Sequence, residues 1–198
     1  MKILELGCGN SKTKGAIGLD SSKLPGVDVV WDLEKTPLPF KDGEFDEVRA
    51  YHLLEHIHNF LLLMKEINRI TRKGGKVHIK VPFYSAWGQF NDPTHVRFFT
   101  PFTFEYFNKG TYSHQTHSNK NMFKIEEVRI NFGVGDSSKL NFLFNPLINF
   151  NHKVYCRFFS WIFPAAEIQY ILRVIKKEKS INPYGEKEIS KNMRNLLK

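Results

Sequence analysis

Three carboxylates and two glycines near the start of the chain are suited to holding a ligand. Glu5 comes just before Gly7 and Gly9. An acid also ends each of the next two apolar runs, at Asp20 and Asp32. Glycines let the backbone approach a ligand closely, and carboxylates accept hydrogen bonds from ribose hydroxyls and from an adenine amine. The spacing therefore predicts a site for a nucleoside-containing ligand, although a Gly-x-Gly sequence alone also occurs in ordinary turns.

A second group of reactive side chains lies in the aromatic, irregular segment 84–97. Tyr84, Asp92 and His95 are candidate catalytic residues there, and His95 is the preferred base because imidazole titrates near neutral pH. In this interpretation Asp92 orients His95, Arg97 binds an anionic acceptor and Trp87 contacts the substrate. An Asx-type turn at Asp92, with no catalytic role, explains the same residues equally well.

Histidines also follow the fourth apolar run. His52 ends that run, which makes it a candidate for both catalysis and ligand binding. Glu55 and His56 come within about one helical turn of it, and we expect them to shape the ligand pocket or cap a helix rather than to catalyse. His114 and His117 lie in a polar segment that indicates a surface loop. Since no other ligands cluster near them, no metal site is predicted.

The apolar pattern predicts the elements that position these side chains. Short runs rich in Val and Ile are typical of buried strands, and they cover residues 3–6, 16–19, 27–31, 45–50 and 76–81. Between the last two runs, apolar residues recur every three or four positions and Gly74 follows, which predicts one amphipathic helix with a glycine stop. Strand, helix and strand in this order form a right-handed parallel crossover, so the fold class is α/β.

The second half of the chain predicts fewer regular elements. After the fifth strand we expect a long loop, and then a short helix with Thr100 as N-cap and Pro101 at its first position. Segments 123–133 and 165–177 resemble two strands that complete the sheet as a hairpin-like pair. The segment 139–164 between them is apolar and aromatic, but its polar residues exclude a membrane-spanning helix. It predicts a helical insertion over the core or the active site, with an in-plane membrane contact or a dimer surface as alternatives.

The composition is that of one globular domain. The chain has 198 residues, of which 41% are hydrophobic, and a net charge of +9, so it can bury a sizeable core. Over half of the excess positive charge lies in 173–198, and we assign 1–177 to the domain and 178–198 to a basic, solvated tail. The tail's alternative partners are an anionic membrane surface or RNA. Two cysteines in no metal-like spacing, and no leader-type N-terminus, favour a cytoplasmic protein.

Four segments resemble the successive motifs of class I S-adenosylmethionine-dependent methyltransferases. They are ELGCGNSK, GLD, DLEKTPLPFKDGEFDEVRAYHLLEHI and RKGGKVHIKVP, and together they cover about residues 3–82. The resemblance is to a compact, type-11-like subgroup. It implies a Rossmann-like, mostly parallel sheet of seven strands whose last strand is antiparallel.

The same resemblance implies a role for each ligand-binding candidate. Glu5, Gly7 and Gly9 are expected to surround the methionine and ribose portion of S-adenosylmethionine. Asp20 is expected to bind the ribose hydroxyls, and Asp32 and Leu33 to lie beside the adenine. His52 is expected to contact the cofactor from the end of the fourth strand.

The first loop departs from the family pattern. The segment from Gly9 to Asp20 is too short for a helix followed by a strand, and Ser11 stands where a third glycine is usual. A dinucleotide would lose the helix end that binds its pyrophosphate, whereas S-adenosylmethionine has no pyrophosphate and carries a cationic sulfonium. The loop therefore favours S-adenosylmethionine over NAD.

Together these residues predict a methyltransferase that acts on an oxygen or nitrogen atom of a small-molecule, glycan-linked or lipid-linked acceptor. The expected partners are that acceptor and, through 139–164, the surface of a membrane. Binding to nucleic acid is not expected because the chain contains no RNA-recognition motif. An RNA-associated methyltransferase-like protein and a catalytically inactive scaffold of the same fold are the alternatives.

Overall fold

Seven strands in one sheet organise the part of the chain that the computed structural model describes, residues 1–108 and 121–176. In chain order the strands are β1 (Ile3–Leu6), β2 (Ile17–Asp20), β3 (Val29–Val30), β4 (Phe45–Tyr51), β5 (Thr71–Pro82), β6 (Phe123–Asn131) and β7 (Glu167–Val174). The segment with His114 and His117 and the predicted tail 178–198 lie outside the described residues.

The spatial order of the strands is β3-β2-β1-β4-β5-β7-β6. β7 pairs antiparallel with both of its neighbours, and the pairs among β1 to β5 are all parallel. The prediction of an α/β, Rossmann-like sheet with an antiparallel last strand is therefore confirmed. Because the parallel strands all end at one edge of the sheet, the loops that follow β1, β2 and β4 meet there.

No helix lies between β1 and β2 in the described structure, as the short segment predicts. The loop crosses directly to the neighbouring strand, where the backbone N–H of Gly7 donates to the carbonyl of Leu19 at 2.8 Å. Position 18, which packs against this loop, requires glycine because a Cβ there would lie 2.6 Å from Sγ of Cys8. Burial, and then the nearby Asp20 carboxylate, raise the pKa of the Cys8 thiol, so this residue fills space as a neutral thiol.

The helix predicted between β4 and β5 is shorter than expected at both ends. A single 3₁₀ turn, Leu54–His56, comes first, and α1 (Phe60–Ile70) follows after an irregular stretch. The Thr71 hydroxyl donates to the carbonyl of Ile67 at 2.6 Å, and β5 begins at once, because β-branched Thr71 already has an extended backbone. The predicted stop at Gly74 is wrong, since Gly74 lies within β5, where its φ of +76° marks a local kink.

Aromatic contacts hold the loop after β5 against α1. Phe60, at the start of α1, packs against Phe99, Phe104 and Phe107 with ring centroids 5.9 to 6.0 Å apart. The loop contains a short helix, α2 (Gly88–Asn91), and the predicted helix after Thr100 is a 3₁₀ helix at Thr103–Phe107. Thr100 still caps the turn that precedes it, because its hydroxyl oxygen accepts the backbone N–H of Phe102 at 3.3 Å.

The segment between β6 and β7 is helical, as predicted. It consists of a 3₁₀ helix (Gly135–Leu140), α3 (Asn141–Phe150), α4 (His152–Val154) and a π-helical turn (Tyr155–Phe159). None of the helices in the described ranges is long and apolar enough to cross a membrane.

Three asparagines, four residues apart on α3, attach this helix to the end of β6 and to the two residues that follow this strand. The side-chain oxygens of Asn141, Asn145 and Asn149 accept the backbone N–H groups of Gly133, Phe132 and Ile130 at 2.8 to 2.9 Å. β6 is an edge strand, so these bonds satisfy backbone groups that have no neighbouring strand. They also turn the opposite face of α3 away from the sheet.

Candidate active site

A cavity of about 330 Å³ lies at the carboxyl ends of β1, β2 and β4. Its volume falls within the range of ~300–1,000 Å³ that is usual for small-molecule sites, and its position is where an open α/β sheet binds its ligand. The lining residues are Gly7, Asp20, Ser21, Asp32, Leu33, Glu34, His52, Leu53, His56 and Ile57. Five of the predicted ligand-binding residues are therefore brought together here: Gly7, Asp20, Asp32, Leu33 and His52.

Gly7 and Asp20 form the part of the cavity that follows β1 and β2. Gly7 has a φ of +63°, and a Cβ at this position would lie 2.9 Å from Cδ1 of Leu53, so no larger residue fits without displacement. Asp20 accepts the backbone N–H groups of Gly9 at 2.9 Å and Ser22 at 3.1 Å, one on each carboxylate oxygen. The carboxylate is thus fixed in place, and Oδ2, which accepts only the Gly9 N–H, keeps a lone pair for a ligand.

Asp32 and Glu34 organise the loop after β3. Asp32 accepts the backbone N–H of Glu34 at 3.0 Å, and its side chain is 46% exposed, which leaves it accessible to a ligand. Glu34 accepts the backbone N–H groups of His58 and Asn59 at 2.7 and 2.9 Å. Burial opposes ionisation of Glu34, but these two bonds outweigh it and leave its pKa below the usual value. The loop after β3 is therefore tied to the start of α1.

Glu5 and Gly9 are not among the residues that line the cavity. The Glu5 carboxylate is buried and accepts the backbone N–H of Thr13 at 2.9 Å, while the N–H of Gly9 is used by Asp20. Both residues hold the loop in shape. Their direct contact with a cofactor stays a prediction.

His52 has an unusual backbone and a stabilised positive charge. Its φ of +48° is in the left-handed region, which is uncommon for residues other than glycine. Its Nε2 lies 3.1 Å from Glu167, at the start of β7, and its Nδ1 lies 3.5 Å from Glu55. These contacts, that with Glu167 first, raise the pKa of His52 to about 9 despite its burial. A protonated imidazole has no lone pair to accept a proton, so in this state His52 binds rather than acts as a base.

His56 is linked to Asp92 through Thr94. The Nδ1 of His56 lies 2.8 Å from the Thr94 hydroxyl, and this hydroxyl donates to Asp92 at 2.6 Å. Since the hydroxyl hydrogen points to Asp92, Nδ1 of His56 carries the proton and Nε2 has a free lone pair. The backbone N–H of Thr94 also donates to Asp92 at 2.8 Å, so the Asx-type turn is formed. The two bonds from Thr94 lower the pKa of Asp92.

His95 lies beside His56, with ring centroids 4.7 Å apart. Its Nδ1 is 3.0 Å from the carbonyl of Gln89 and must donate to it, which leaves the lone pair on Nε2. Asp92, predicted to orient His95, is 3.9 Å from Nε2, which is too far for a hydrogen bond. The Gln89 carbonyl therefore orients the ring.

Comparison with known proteins identifies the domain. Residues 8–79 match the model of a protein family that is described as a methyltransferase domain. The match agrees with the resemblance of the sequence motifs to class I S-adenosylmethionine-dependent methyltransferases. The seven-stranded sheet is the fold that this resemblance implies, and S-adenosylmethionine is the cofactor that it implies.

Solved structures share the fold of the methyltransferase over most of the chain. The YcgJ protein of Bacillus subtilis has 14% identity and a TM-score of 0.52, covering 89% of this chain and 92% of its own. A chain from the complex between the Haloferax volcanii Trm112 methyltransferase activator and a putative methyltransferase has 15% identity and a TM-score of 0.53, with coverages of 88% and 83%. A possible histamine N-methyltransferase of Thermotoga maritima has 19% identity and a TM-score of 0.52, with coverages of 88% and 82%. At these identities the likeness concerns the fold, and no curated protein matches the chain.

Besides Glu5 and Gly9, five predicted residues of the methyltransferase lie outside the cavity lining: Asp92, His95, Tyr84, Trp87 and Arg97. The Tyr84 hydroxyl lies 2.6 Å from that of Ser160 and 3.1 Å from the Cys156 carbonyl, so it anchors the insertion and has no support as a catalytic group. Trp87 is 77% exposed. Arg97 stacks over the Phe60 ring at 4.7 Å, and burial lowers its pKa.

Proposed function

We propose that this methyltransferase binds S-adenosylmethionine in the strand-end cavity and methylates an oxygen or nitrogen atom of a small-molecule, glycan-linked or lipid-linked acceptor. The observation that carries the proposal is the cavity lining, which combines the carboxylates of Asp20 and Asp32 with the imidazoles of His52 and His56. The carboxylates suit the hydrogen-bond donors of the cofactor, and the imidazoles suit a polar acceptor beside it.

The residues of the cavity fit the cofactor. Asp20 would accept hydrogen bonds from the two ribose hydroxyls, and Asp32 would accept one from the adenine amine. Gly7 would let the backbone come close to the cofactor because it has no Cβ. No helix N-terminus points into the loop after β1 in the described structure, which suits a cationic ligand better than an anionic one. When bound, S-adenosylmethionine supplies a methyl group on a sulfonium that is already activated for in-line displacement.

The histidines would position the acceptor. His52, protonated and paired through its two ring nitrogens with Glu167 and Glu55, places a positive charge at the cavity wall and cannot take a proton from the acceptor. The lone pair on Nε2 of His95 supports the base predicted at this residue, which stays a proposal. A base is needed only where the acceptor loses a proton during transfer.

The insertion favours an acceptor that is presented at an anionic membrane surface. The face of α3 opposite its asparagines exposes Leu147 to 71% and Phe150 to 90%, and Phe142, beside the asparagines, is 80% exposed. The segment 139–164 contains lysine and arginine but neither aspartate nor glutamate. Exposed aromatic side chains with only positive charges between them match the chemistry of an anionic lipid headgroup layer.

A cofactor titration tests the cavity assignment. We expect calorimetry with S-adenosylhomocysteine to show saturable binding that is at least about tenfold weaker in Asp20→Ala, a loss of roughly 1.4 kcal/mol. NAD is the control ligand. The Asp136→Ala variant, which removes an exposed carboxylate from the 3₁₀ helix after β6, is the control variant. Equal affinity in Asp20→Ala and wild type would show that the cofactor binds elsewhere.

Vesicle sedimentation tests the membrane contact. We expect the intact protein to sediment with vesicles of phosphatidylcholine and phosphatidylserine but not with phosphatidylcholine alone, and to lose this binding in a Phe142→Ser, Leu147→Ser, Phe150→Ser triple variant. The control is Val30→Ser, which changes an apolar residue that is 50% exposed at the opposite edge of the sheet. Equal sedimentation of the triple variant and the control would discard the membrane contact.

A further inference from the structure

Glu55, His56 and His95 form a cluster at the wall of the cavity. One ligand atom from each side chain lies within 4.8 Å of the other two. Glu55 and His56 come from the 3₁₀ turn after β4, while His95 comes from the loop after β5. His56 lines the cavity itself, so the cluster borders the space that the cofactor and the acceptor are proposed to share.

The two histidines direct their lone pairs away from their hydrogen-bond partners. His56 donates from Nδ1 to Thr94, whose hydroxyl is held by Asp92, and His95 donates from Nδ1 to the Gln89 carbonyl. In both rings the unprotonated atom is therefore Nε2. Histidines that bind a metal show this arrangement, in which the second ring nitrogen is fixed by a carboxylate, a carbonyl or a hydroxyl.

Glu55 is an independent indication of a missing cation. Its side chain is 1% exposed, and neither carboxylate oxygen has a hydrogen-bond partner. His52 Nδ1, at 3.5 Å, is farther away than an ordinary hydrogen-bond donor, and the other nitrogen of that ring is engaged by Glu167. The His52 imidazolium compensates part of the Glu55 charge, but a buried carboxylate without hydrogen-bond donors remains costly, and a divalent cation would supply the missing contacts.

We propose that Nε2 of His56, Nε2 of His95 and the carboxylate of Glu55 bind a divalent transition-metal cation of the zinc type. Two imidazoles and one carboxylate are ligands that zinc accepts, and three protein ligands leave a coordination position for water or substrate. Metal–ligand bonds of about 2.0–2.2 Å require the three side chains to close by about an ångström. The free position would face the cavity, where a hydroxyl or carboxylate oxygen of the acceptor could occupy it.

Cation binding and proton acceptance use the same atoms. A coordinated Nε2 cannot take up a proton, so with the cation bound His95 does not act as a base, and a coordinated hydroxyl would instead become more acidic. The cation site stands on the three ligands and does not depend on methyl transfer. A failed metal test leaves the proposed function untouched, and a failed cofactor titration leaves the metal site untouched.

Metal titration tests the site directly. The full-length protein is stripped with a chelator and titrated with Zn²⁺ by calorimetry, and with Co²⁺ by visible absorption, which reports the ligands. We expect one Zn²⁺ per chain at this site, with binding at least about tenfold weaker in Glu55→Gln and in His95→Ala. His58→Ala is the matched control because its side chain is 74% exposed.

Thermal melting separates loss of metal from loss of fold. Zn²⁺ should raise the melting temperature of the wild type by mass action and leave that of Glu55→Gln unchanged, and a cooperative melt of the metal-free variant shows that it folds. Absence of Zn²⁺ binding in the wild type would overturn the proposal. So would binding that is undiminished in both Glu55→Gln and His95→Ala.

Discussion

Asn149 and Ile130 exchange two hydrogen bonds: the Asn149 side chain accepts from the Ile130 backbone N–H at 2.8 Å and donates to the Ile130 carbonyl, also at 2.8 Å. An amide side chain has the same donor and acceptor as a peptide group, so Asn149 acts as a neighbouring strand would. This contact attaches the apolar insertion to the edge of the sheet. It also explains why polar asparagines recur in an otherwise apolar segment.

The neighbouring Asn145 should be important for stability. It is buried, accepts from the Phe132 backbone N–H at 2.9 Å and donates to Asn131 at 3.1 Å. Asn145→Leu leaves these groups without partners, so we expect the free energy of unfolding in urea to fall by roughly 1–3 kcal/mol. Leu147→Ala, at an exposed site on the same helix, should change it by less than about 0.5 kcal/mol. Equal effects of the two changes would contradict the edge-strand role.

Gly7→Ala should weaken cofactor binding. The added Cβ would lie 2.9 Å from Leu53, which lines the cavity, at a backbone φ of +63°. We expect the affinity for S-adenosylhomocysteine to fall by about tenfold or more, since both the loop and Leu53 must move. Gly15→Ala is the control for backbone strain alone: its φ is +81° with open space around it, and it should lose about 1–2 kcal/mol of stability but no affinity.

Glu66 should contribute stability that is lost in acid. Burial raises its pKa, but hydrogen bonds from Arg69 and from the backbone of Leu38 outweigh this and lower the pKa overall. A carboxylate with a depressed pKa in the folded state stabilises fully above its unfolded pKa of ~4.3 and loses this effect as the pH falls through the folded value.

The measurement is chemical unfolding of Glu66→Gln and wild type at several pH values. We expect the variant to be less stable by about 1 kcal/mol at neutral pH, and the difference to shrink towards pH 3. A difference that does not depend on pH would mean that Glu66 acts through packing rather than through its charge. Asp136→Asn, at an exposed site, serves as the control.

Tyr84→Phe should separate structure from catalysis. Its hydroxyl is engaged by Ser160 and Cys156, so removal should lower the free energy of unfolding by about 1 kcal/mol and leave cofactor affinity unchanged. Ser160→Ala removes one partner of the same contact and should have a similar effect. Loss of methyl transfer in Tyr84→Phe at full cofactor affinity, with transfer retained in Ser160→Ala, would restore the catalytic role.

The fold was predictable because its signals are local. Runs of Val and Ile indicated the strands, and the short segment from Gly9 to Asp20 indicated a crossover without a helix. The helix before β5 was less predictable at its ends: the apolar spacing continues across a 3₁₀ turn and an irregular stretch, and only tertiary contacts decide which turns become α-helix. At the other end, the Thr71 hydroxyl ends the helix before the glycine that usually marks such an end.

The site was predictable only in part because it is assembled from distant segments. Asp20, Asp32 and His52 each end a strand, and parallel strands bring such ends together. The pairing of His56 with His95 depends on how the loop after β5 folds back, and no spacing in the sequence encodes it. Tyr84 illustrates the reverse case: a reactive residue at a strand end whose hydroxyl is engaged by a later helix.

The antiparallel direction of β7 has a consequence for synthesis of the chain. Because β7 runs opposite to β5, it begins where β5 ends, and Glu167 pairs with Pro82 at the edge that holds His52. A nascent chain that carries only the residues matching the family model therefore has His52 with Glu55 but without Glu167. The contacts of His52 can be completed only after residue 167 has emerged from the ribosome, so this part of the site is among the last parts of the domain to assemble.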